Sequence, residues 1–327
     1  MAPTSTEGSR ADVLGPPYVA TTLRLRPDDE GEVVATLVHR PADEPTGRAV
    51  LHVHGFADYF FQTGAADFWC EQGYDFYALD LRKYGRSLLP HQTPNFVTDL
   101  TTYYEELDLA FAAVTAGHDH VVLSAHSTGG LTVPLWAADR SAGVDGLVLN
   151  APWLDMHGDL VMRHLAMPVL HRIGAYRSHV AIPRKVSGFY ARSLHVEHEG
   201  EWPFDLAWKP LQSWPVYAGW IRAIRMGQAR VAAGLDLEVP VLVLSSTRSG
   251  RPASMEDPDV FSTDIVLDVE QIRRRATMLG RHVTLAQIGG AMHDVTLSRP
   301  EVRKVAFDEI GRFLSAYVDG QALPSRP

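Results

Sequence analysis

One serine, one histidine and a set of aspartates in this sequence carry the side chains that nucleophilic catalysis requires. A serine hydroxyl is a weak nucleophile at neutral pH, so it needs a neighbouring base that a third group orients. Ser127 lies in the stretch from His120 to Trp136, which reads HVVLSAHSTGGLTVPLW, and His293 lies far downstream in GGAMHD. A serine followed by an acid and then by a histidine is one of the chain orders in which these groups occur.

The residues around Ser127 predict a strand, a sharp turn and a helix. The apolar residues 121–123 precede it, and Gly129 and Gly130 follow it before a segment that can be helical. This arrangement is a nucleophile elbow, which holds a serine hydroxyl above a sheet. Small residues are needed where the strand and helix backbones approach each other. Ala125 and Gly129 occupy those positions, so the local pattern is Ala-x-Ser-x-Gly.

His293 is the predicted base among the 15 histidines of the chain. It follows the last predicted strand, 282–288, and precedes a closing helix that starts near Pro300. A loop at that place in the chain brings its side chain to the same edge of the sheet as Ser127. The position, the two preceding glycines and the chain order all favour His293.

The acid has three candidates. No aspartate directly follows the predicted strand at 241–244, where one would be expected, and a long loop comes next. Asp264 is favoured because it lies in that loop before a helical segment, 269–278. Asp268 is the alternative and could instead cap the helix, and Asp155 is a third choice.

Two backbone amides are predicted to hold the negative charge that develops on a carbonyl oxygen. One is the amide after the nucleophile, on Thr128, and the other comes from an early loop. Phe56 follows His54-Gly55 at the end of a predicted strand, so its amide can be the second donor.

A mostly parallel sheet must position these residues. Residues 18–39 alternate apolar and polar side chains around DDEG, which predicts an antiparallel hairpin. Further strands are predicted from apolar runs at 49–53, 76–79, 121–123, 147–149, 241–244 and 282–288. Because helical segments alternate with these runs, the predicted fold class is α/β, a doubly wound sheet with an antiparallel N-terminal hairpin. Ligands of such sheets bind at the carboxyl ends of the strands, where His54, Ser127 and Asn150 lie.

The alternation breaks between residues 153 and 237, which predicts an inserted, mainly helical cap. The α/β core would comprise 17–152 and 238–320, with flexible termini at 1–16 and 321–327. Four residues are candidates for lining a substrate site: Trp153, Trp214, Trp220 and Met292. The cap tryptophans could equally form the cap's own core.

Composition excludes several other classes of function. The net charge of −9 argues against a nucleic-acid partner. No apolar run reaches the roughly 20 residues of a membrane span, and the N-terminus lacks the pattern of a signal peptide. The single cysteine, Cys70, rules out an internal disulfide and fits a cytoplasmic location. We expect no metal and no organic cofactor.

Several segments together resemble the α/β-hydrolase superfamily. They are HVHGFADYF, YALDLRKYGRS, LSAHSTGG, the Asp264 segment and GGAMHD. The similarity runs from about Ala49 to Val318 and is greatest to monoacylglycerol lipase, lysophospholipase and serine aminopeptidase-like proteins. The resemblance implies an α/β-hydrolase fold and a serine hydrolase with Ser127, Asp264 and His293 as its triad. A small-molecule carboxylic ester is the expected substrate, with an aminopeptidase, an amidase or a non-catalytic binder as alternatives.

Overall fold

The computed structural model describes residues 8–140, 143–156 and 167–319, with only the backbone for 167–171. Its strands are β1 (Arg10–Ala11), β2 (Val19–Arg24), β3 (Val34–Arg40), β4 (Arg48–Val53), β5 (Tyr74–Asp80), β6 (His120–His126), β7 (Gly146–Asn150), β8 (Val241–Ser246) and β9 (Val283–Ile288). Its helices are α1 (Thr63–Glu71), α2 (Tyr104–Thr115), α3 (Gly129–Arg140), α4 (Met167–Tyr176), α5 (Phe189–Leu194), α6 (Ala218–Ala233), α7 (Val269–Ala276) and α8 (Pro300–Phe313).

The strands form one nine-stranded sheet in the order β1-β2-β3-β5-β4-β6-β7-β8-β9. From β5 to β9 every neighbouring pair is parallel, and β1, β2 and β3 add an antiparallel edge. The predicted hairpin is the β2–β3 pair, in register from Val19 with His39 to Arg24 with Val34. The predicted fold class is therefore confirmed.

The central strands are apolar throughout because both faces of the sheet are covered. On β7, Leu147 and Leu149 belong to one buried cluster and Val148 belongs to another. On β6, Leu123 belongs to the first cluster and Val122 to the second. Alternate side chains of a strand point to opposite faces of the sheet, so a strand that is apolar throughout supplies apolar side chains to the cores on both faces.

The N-terminal segment differs from its prediction as a flexible terminus. Of the predicted segment 1–16, residues 8–16 are described, and Arg10–Ala11 pair with β2. Asp12 is buried and its carboxylate lies 2.6 Å from Nε of Arg86. The prediction of a flexible terminus is wrong for residues 8–16, because the ion pair between Asp12 and Arg86 holds them against the core. Residues 1–7 and 321–327 lie outside the described residues.

The predicted cap at 153–237 contains α4, α5 and α6, with residues 157–166 outside the described ranges. Its boundaries, and those of the two core segments, stay predictions. Within the described parts of the chain, none of the helices combines the length and the apolar character that crossing a membrane requires.

Candidate active site

Ser127 lies in a tight turn between β6 and α3. Its φ is 52°, in the left-handed region that residues other than glycine rarely adopt. Its amide donates to the carbonyl of Asn150 at 3.0 Å, which ties the turn to the end of β7. Strained backbone of this kind is typical of sites where one side chain must be presented in a fixed direction.

The close packing around this turn requires glycine at three positions. A Cβ on Gly129 would lie 2.4 Å from the carbonyl oxygen of His54, and one on Gly130 would lie 2.6 Å from Cβ of Pro152. On the other side, a Cβ on Gly55 would lie 2.9 Å from Cβ of Ser127. The loop after β4 therefore runs directly beside the serine.

The structure brings Ser127, His293 and Asp264 into one hydrogen-bonded chain. Nε2 of His293 lies 3.1 Å from Oγ of Ser127, and Nδ1 lies 3.0 Å from Oδ2 of Asp264. All three side chains are buried. This is the geometry in which a histidine can take a serine proton while a carboxylate orients its ring.

Asp264 reaches this position although a long loop separates it from β8. Its backbone forms a bridge with Ser249, and its amide donates to the carbonyl of Arg248 at 3.1 Å. The loop in between therefore closes on itself and returns the chain to the end of β8, where the sequence has no aspartate.

The local contacts of Asp264 favour its charged form. Its Oδ1 accepts hydrogen bonds from the amides of Val266 at 2.8 Å and Leu267 at 2.7 Å. Burial alone would raise the pKa of Asp264. The neighbouring His293 and the two amides outweigh burial and hold the pKa below its usual value.

The two other candidate acids lie elsewhere. Asp268 caps α7, with Oδ1 accepting from the amide of Glu270 at 3.0 Å. Asp155 lies 3.0 Å from Nε of Arg275 and 3.6 Å from a guanidinium nitrogen of Arg225. Only Asp264, of the three, contacts the histidine that contacts Ser127.

The predicted oxyanion donors flank the serine. Thr128 follows Ser127 directly, and Phe56 follows Gly55, which contacts Ser127. Neither amide donates to a backbone carbonyl in the part of the chain that the structure describes. Both amides are therefore available to a ligand oxygen.

Aromatic side chains lie beside the serine turn. The amide of Trp153 donates to the carbonyl of Ser127 at 2.9 Å. The ring of Trp220, on α6, lies 5.8 Å from that of Trp153 and 4.3 Å from that of Phe56. Of the four candidate substrate-lining residues, Trp153 is therefore bonded to Ser127 through its backbone, and Trp220 packs against Trp153.

The other two candidates make different contacts. Trp214 is half-buried and its indole nitrogen donates to the carbonyl of Trp208 at 3.1 Å. Met292 is buried in a separate apolar cluster that includes Phe61 and Phe204, which favours a packing role.

Three residues around His293 had no role assigned to them from the sequence. The ring of Tyr190, from α5, packs edge-on against His293 at 5.4 Å. The ring of His126 lies 4.8 Å from that of His293, and its Nδ1 donates to the carbonyl of Asn150 at 3.1 Å. Burial lowers the pKa of His126. Asn150 Nδ2 donates to the carboxylate of Asp294 at 2.6 Å and thereby holds the histidine loop.

A buried ion pair lies close to this group. Nζ of Lys209 is 2.9 Å from Oδ1 of Asp58, and both residues are buried. Burial alone would raise the pKa of Asp58, but Lys209 and two nearby histidines lower it to about 2. No local sequence pattern links these two residues, because 151 positions separate them.

Comparison with known proteins gives the family. A family model described as serine aminopeptidase, S33, matches residues 44–250, more than half of the chain. The chain belongs to this family, within the α/β-hydrolase superfamily. No curated protein sequence matches it.

Solved structures with the same fold cover nearly the whole chain. A monoglyceride lipase from Saccharomyces cerevisiae is 15% identical with a TM-score of 0.65, over 91% of this chain and 95% of its own. A monoacylglycerol lipase from Paleococcus ferrophilus is 18% identical with a TM-score of 0.63, over 85% and 98%. A thermostable carboxyl esterase from Bacillus coagulans is 15% identical with a TM-score of 0.64, over 91% and 99%. At these identities the likeness concerns the fold.

Proposed function

We propose that this protein is a serine hydrolase that cleaves a carboxylic ester through an acyl-enzyme on Ser127. The observation that carries the proposal is the continuous chain from Ser127 Oγ through His293 to Asp264, with distances of 3.1 Å and 3.0 Å. The strained turn that presents the serine and the two unpaired amides beside it support the same assignment.

In the first half of the reaction Ser127 attacks the ester. Its Oγ bonds to the carbonyl carbon while Nε2 of His293 takes the hydroxyl proton. Asp264 accepts from Nδ1 and stabilises the imidazolium, and the amides of Phe56 and Thr128 donate to the oxyanion. The tetrahedral adduct then breaks its bond to the alcohol oxygen, which takes the proton from His293.

In the second half water releases the acyl group. His293, neutral again, takes a proton from water as the hydroxide oxygen bonds to the acyl carbon. The second adduct breaks its bond to Ser127 Oγ, which recovers the proton from His293, and the carboxylic acid leaves. No step requires a metal or an organic cofactor.

The segment 153–237 is proposed to act as the cap over this site. Its support is that α5 supplies Tyr190, which packs on His293, and α6 supplies Trp220, which packs on Phe56. Trp153 and Trp220 would contact the apolar part of the ester. Among the similar solved structures are two glyceride lipases and a carboxyl esterase, and this agrees with an ester substrate.

An aminopeptidase or amidase on the same triad is the second candidate, which the family description favours. A peptidase of this kind needs carboxylates for the substrate's amino terminus. Glu199 pairs with Arg192, Glu201 lies 3.1 Å from Arg303, and Asp205 accepts from the amide of Ala207 at 2.7 Å. Since two of these three cap carboxylates already pair with arginines, an ester is the better supported substrate. A non-catalytic binding function would not require Ser127, His293 and Asp264 to be hydrogen-bonded in this order.

A fluorophosphonate probe tests the nucleophile directly. We expect the wild type to be labelled and Ser127→Ala to remain unlabelled, with the exposed Ser254→Ala as the matched control that labels normally. Equal labelling of wild type and Ser127→Ala would refute the assignment. Turnover of nitrophenyl esters of increasing chain length, beside aminoacyl amides, then separates an esterase from a peptidase.

A cytoplasmic location is also proposed, on the evidence of the single cysteine, which is buried and unpaired. Cell fractionation with an antibody against the protein is the test, and recovery outside the cytoplasm would contradict it.

A further inference from the structure

Arg184 lies over the loop that carries the proposed oxyanion donor Phe56. Its guanidinium carbon is 5.7 Å from the centre of the Phe56 ring. The backbone of that loop contacts Ser127, because a Cβ on Gly55 would lie 2.9 Å from the Cβ of Ser127. Arg184 therefore packs on the side chain of the residue that follows Gly55 in the loop beside the proposed reaction centre.

The guanidinium is held in place by neutral groups. One Nη donates to Oγ of Ser213 at 3.0 Å and to the carbonyl of Trp214 at 2.7 Å. Across the described residues, Nε and the other Nη of Arg184 donate to nothing. The side chain is thus positioned with part of its donor set unused.

No carboxylate among the described residues forms an ion pair with Arg184. Other arginines near the site are paired, since Arg225 and Arg275 share Asp155. The side chain is exposed, so an anion from solution can reach the unused donors. An arginine without a counter-ion can form charge-assisted hydrogen bonds to an anion that binds beside it.

The planar fork of an arginine matches a carboxylate or a phosphate, which can accept two parallel hydrogen bonds. The wall formed by Phe56, Trp153 and Trp220 is apolar and suits the hydrocarbon part of the same molecule. The site therefore combines a place for ester chemistry, an apolar wall and one unneutralised cation.

We propose that Arg184 binds an anionic group of the substrate, so that the protein prefers esters with a carboxylate or phosphate near the scissile carbonyl. This inference rests on the proposed ester hydrolysis at Ser127. Arg184 is a specificity-determining residue in this scheme, and it takes no part in bond making or breaking.

Paired substrates test the preference. On the acyl side, 4-nitrophenyl pentanoate is compared with the mono-4-nitrophenyl ester of glutaric acid, which has the same leaving group and a carboxylate in place of the terminal methyl group. On the alcohol side, monobutyrylglycerol is compared with its phosphate. We expect kcat/KM to be about tenfold higher for the anionic member of one pair, the usual size of a charge-assisted hydrogen bond. The pair that shows the preference identifies the side of the ester that faces Arg184.

Variants assign the preference to Arg184. Arg184→Gln is expected to remove the tenfold difference, mainly through KM, while turnover of the neutral ester stays near the wild-type value. Arg184→Lys should restore part of the preference. Lys185→Gln removes the same charge from the adjacent exposed position, so it is expected to keep the preference.

The outcomes separate the two proposals. Turnover of neutral esters through Ser127 with no charge preference, or an unchanged preference in Arg184→Gln, overturns the inference and leaves ester hydrolysis intact. Loss of the preference in Lys185→Gln as well would indicate general electrostatic attraction and also overturns it. Absence of ester turnover together with an unlabelled Ser127 would overturn both proposals.

Discussion

At the scale of single residues, Asp264 and Asp268 are four positions apart and accept hydrogen bonds from different groups. Asp264 accepts from His293 and from two amides of its own turn. Asp268 accepts from the first turn of α7. The two side chains therefore form a natural pair for separating an effect on turnover from an effect on stability.

Asp264→Asn is expected to lower kcat by about 10³–10⁴-fold, because an amide cannot stabilise the imidazolium and favours the wrong ring tautomer. Steady-state kinetics on a nitrophenyl ester measures this.

Asp268→Asn is the matched control. It is expected to keep kcat within about twofold and to lose less than about 1 kcal/mol of stability, since asparagine also caps helices. Near-normal turnover in Asp264→Asn together with loss of turnover in Asp268→Asn would reverse the assignment.

Asn150 joins the serine turn to the histidine loop. Its carbonyl accepts from the amide of Ser127, and its side chain donates to Asp294 and accepts from the amide of Val295 at 3.0 Å. Asn150→Ala removes the hydrogen bonds to Asp294 and to the amide of Val295. We expect kcat to fall at least tenfold with KM nearly unchanged. The free energy of unfolding is expected to fall by about 1–3 kcal/mol. Wild-type kcat in a variant that is measurably less stable would limit Asn150 to a structural role.

At the scale of elements, the loop after β4 is joined to the predicted cap by polar contacts in a buried setting. Asp58 pairs with Lys209, and the hydroxyl of Tyr59 accepts from the amide of Asp205 at 2.7 Å. The same loop carries Phe56. Contacts that fix the cap to this loop therefore also fix the position of a proposed oxyanion donor.

The Asp58–Lys209 pair predicts a pH dependence of stability. The pKa of Asp58 is lowered to about 2 in the folded protein, against about 3.9 in an unfolded chain. The pair therefore stabilises the fold above about pH 4, and this stabilisation is lost as the pH falls through about 2. The difference in free energy of unfolding between wild type and Asp58→Asn should shrink by about 2 kcal/mol from pH 5 to pH 2. Denaturant titrations across this range measure the difference.

Asp43→Asn, at an exposed carboxylate, is the control and should follow the wild type at every pH. A constant difference between wild type and Asp58→Asn over the whole range would show that the pair contributes no pH-dependent stability.

At the scale of the whole molecule, the N-terminal segment is part of the core. Arg86 pairs with Asp12 at 2.6 Å and with Asp80 at 2.9 Å, and all three side chains are at most 2% exposed. The contact joins the residue that follows β1 to the turn after β5. Without this segment, Arg86 would keep its ion pair with Asp80 and lose the one with Asp12.

Removal of residues 1–16 is expected to lower the free energy of unfolding by about 3 kcal/mol or more, because it breaks a buried ion pair. Denaturant unfolding measures the loss. Removal of residues 1–7 alone keeps Asp12 and should change stability little, and Asp12→Ala should reproduce most of the larger effect. Equal stability of all these chains would mean that the pair adds nothing.

Local pattern was enough to predict most of the fold. The strand around residues 121–123, the turn at Ser127 and the following helix depend on neighbours in sequence, so apolar runs and small residues reveal them. The structure extends that strand to His120–His126 and begins the helix at Gly129. The N-terminal segment was misjudged because its Arg10–Ala11 strand is very short and its ion pair partner, Arg86, is 74 positions away.

The sequence by itself therefore determined the fold class, the elbow at Ser127 and the preference for His293, since each follows from local pattern and chain order. Only the tertiary structure decided which aspartate contacts the histidine, because that depends on how the loop after β8 closes through the bridge between Ser249 and Asp264. It likewise brought together Asp58 with Lys209 and Arg184 with Phe56. Such contacts join segments that are distant in the chain, and the free energy of packing the whole molecule selects them.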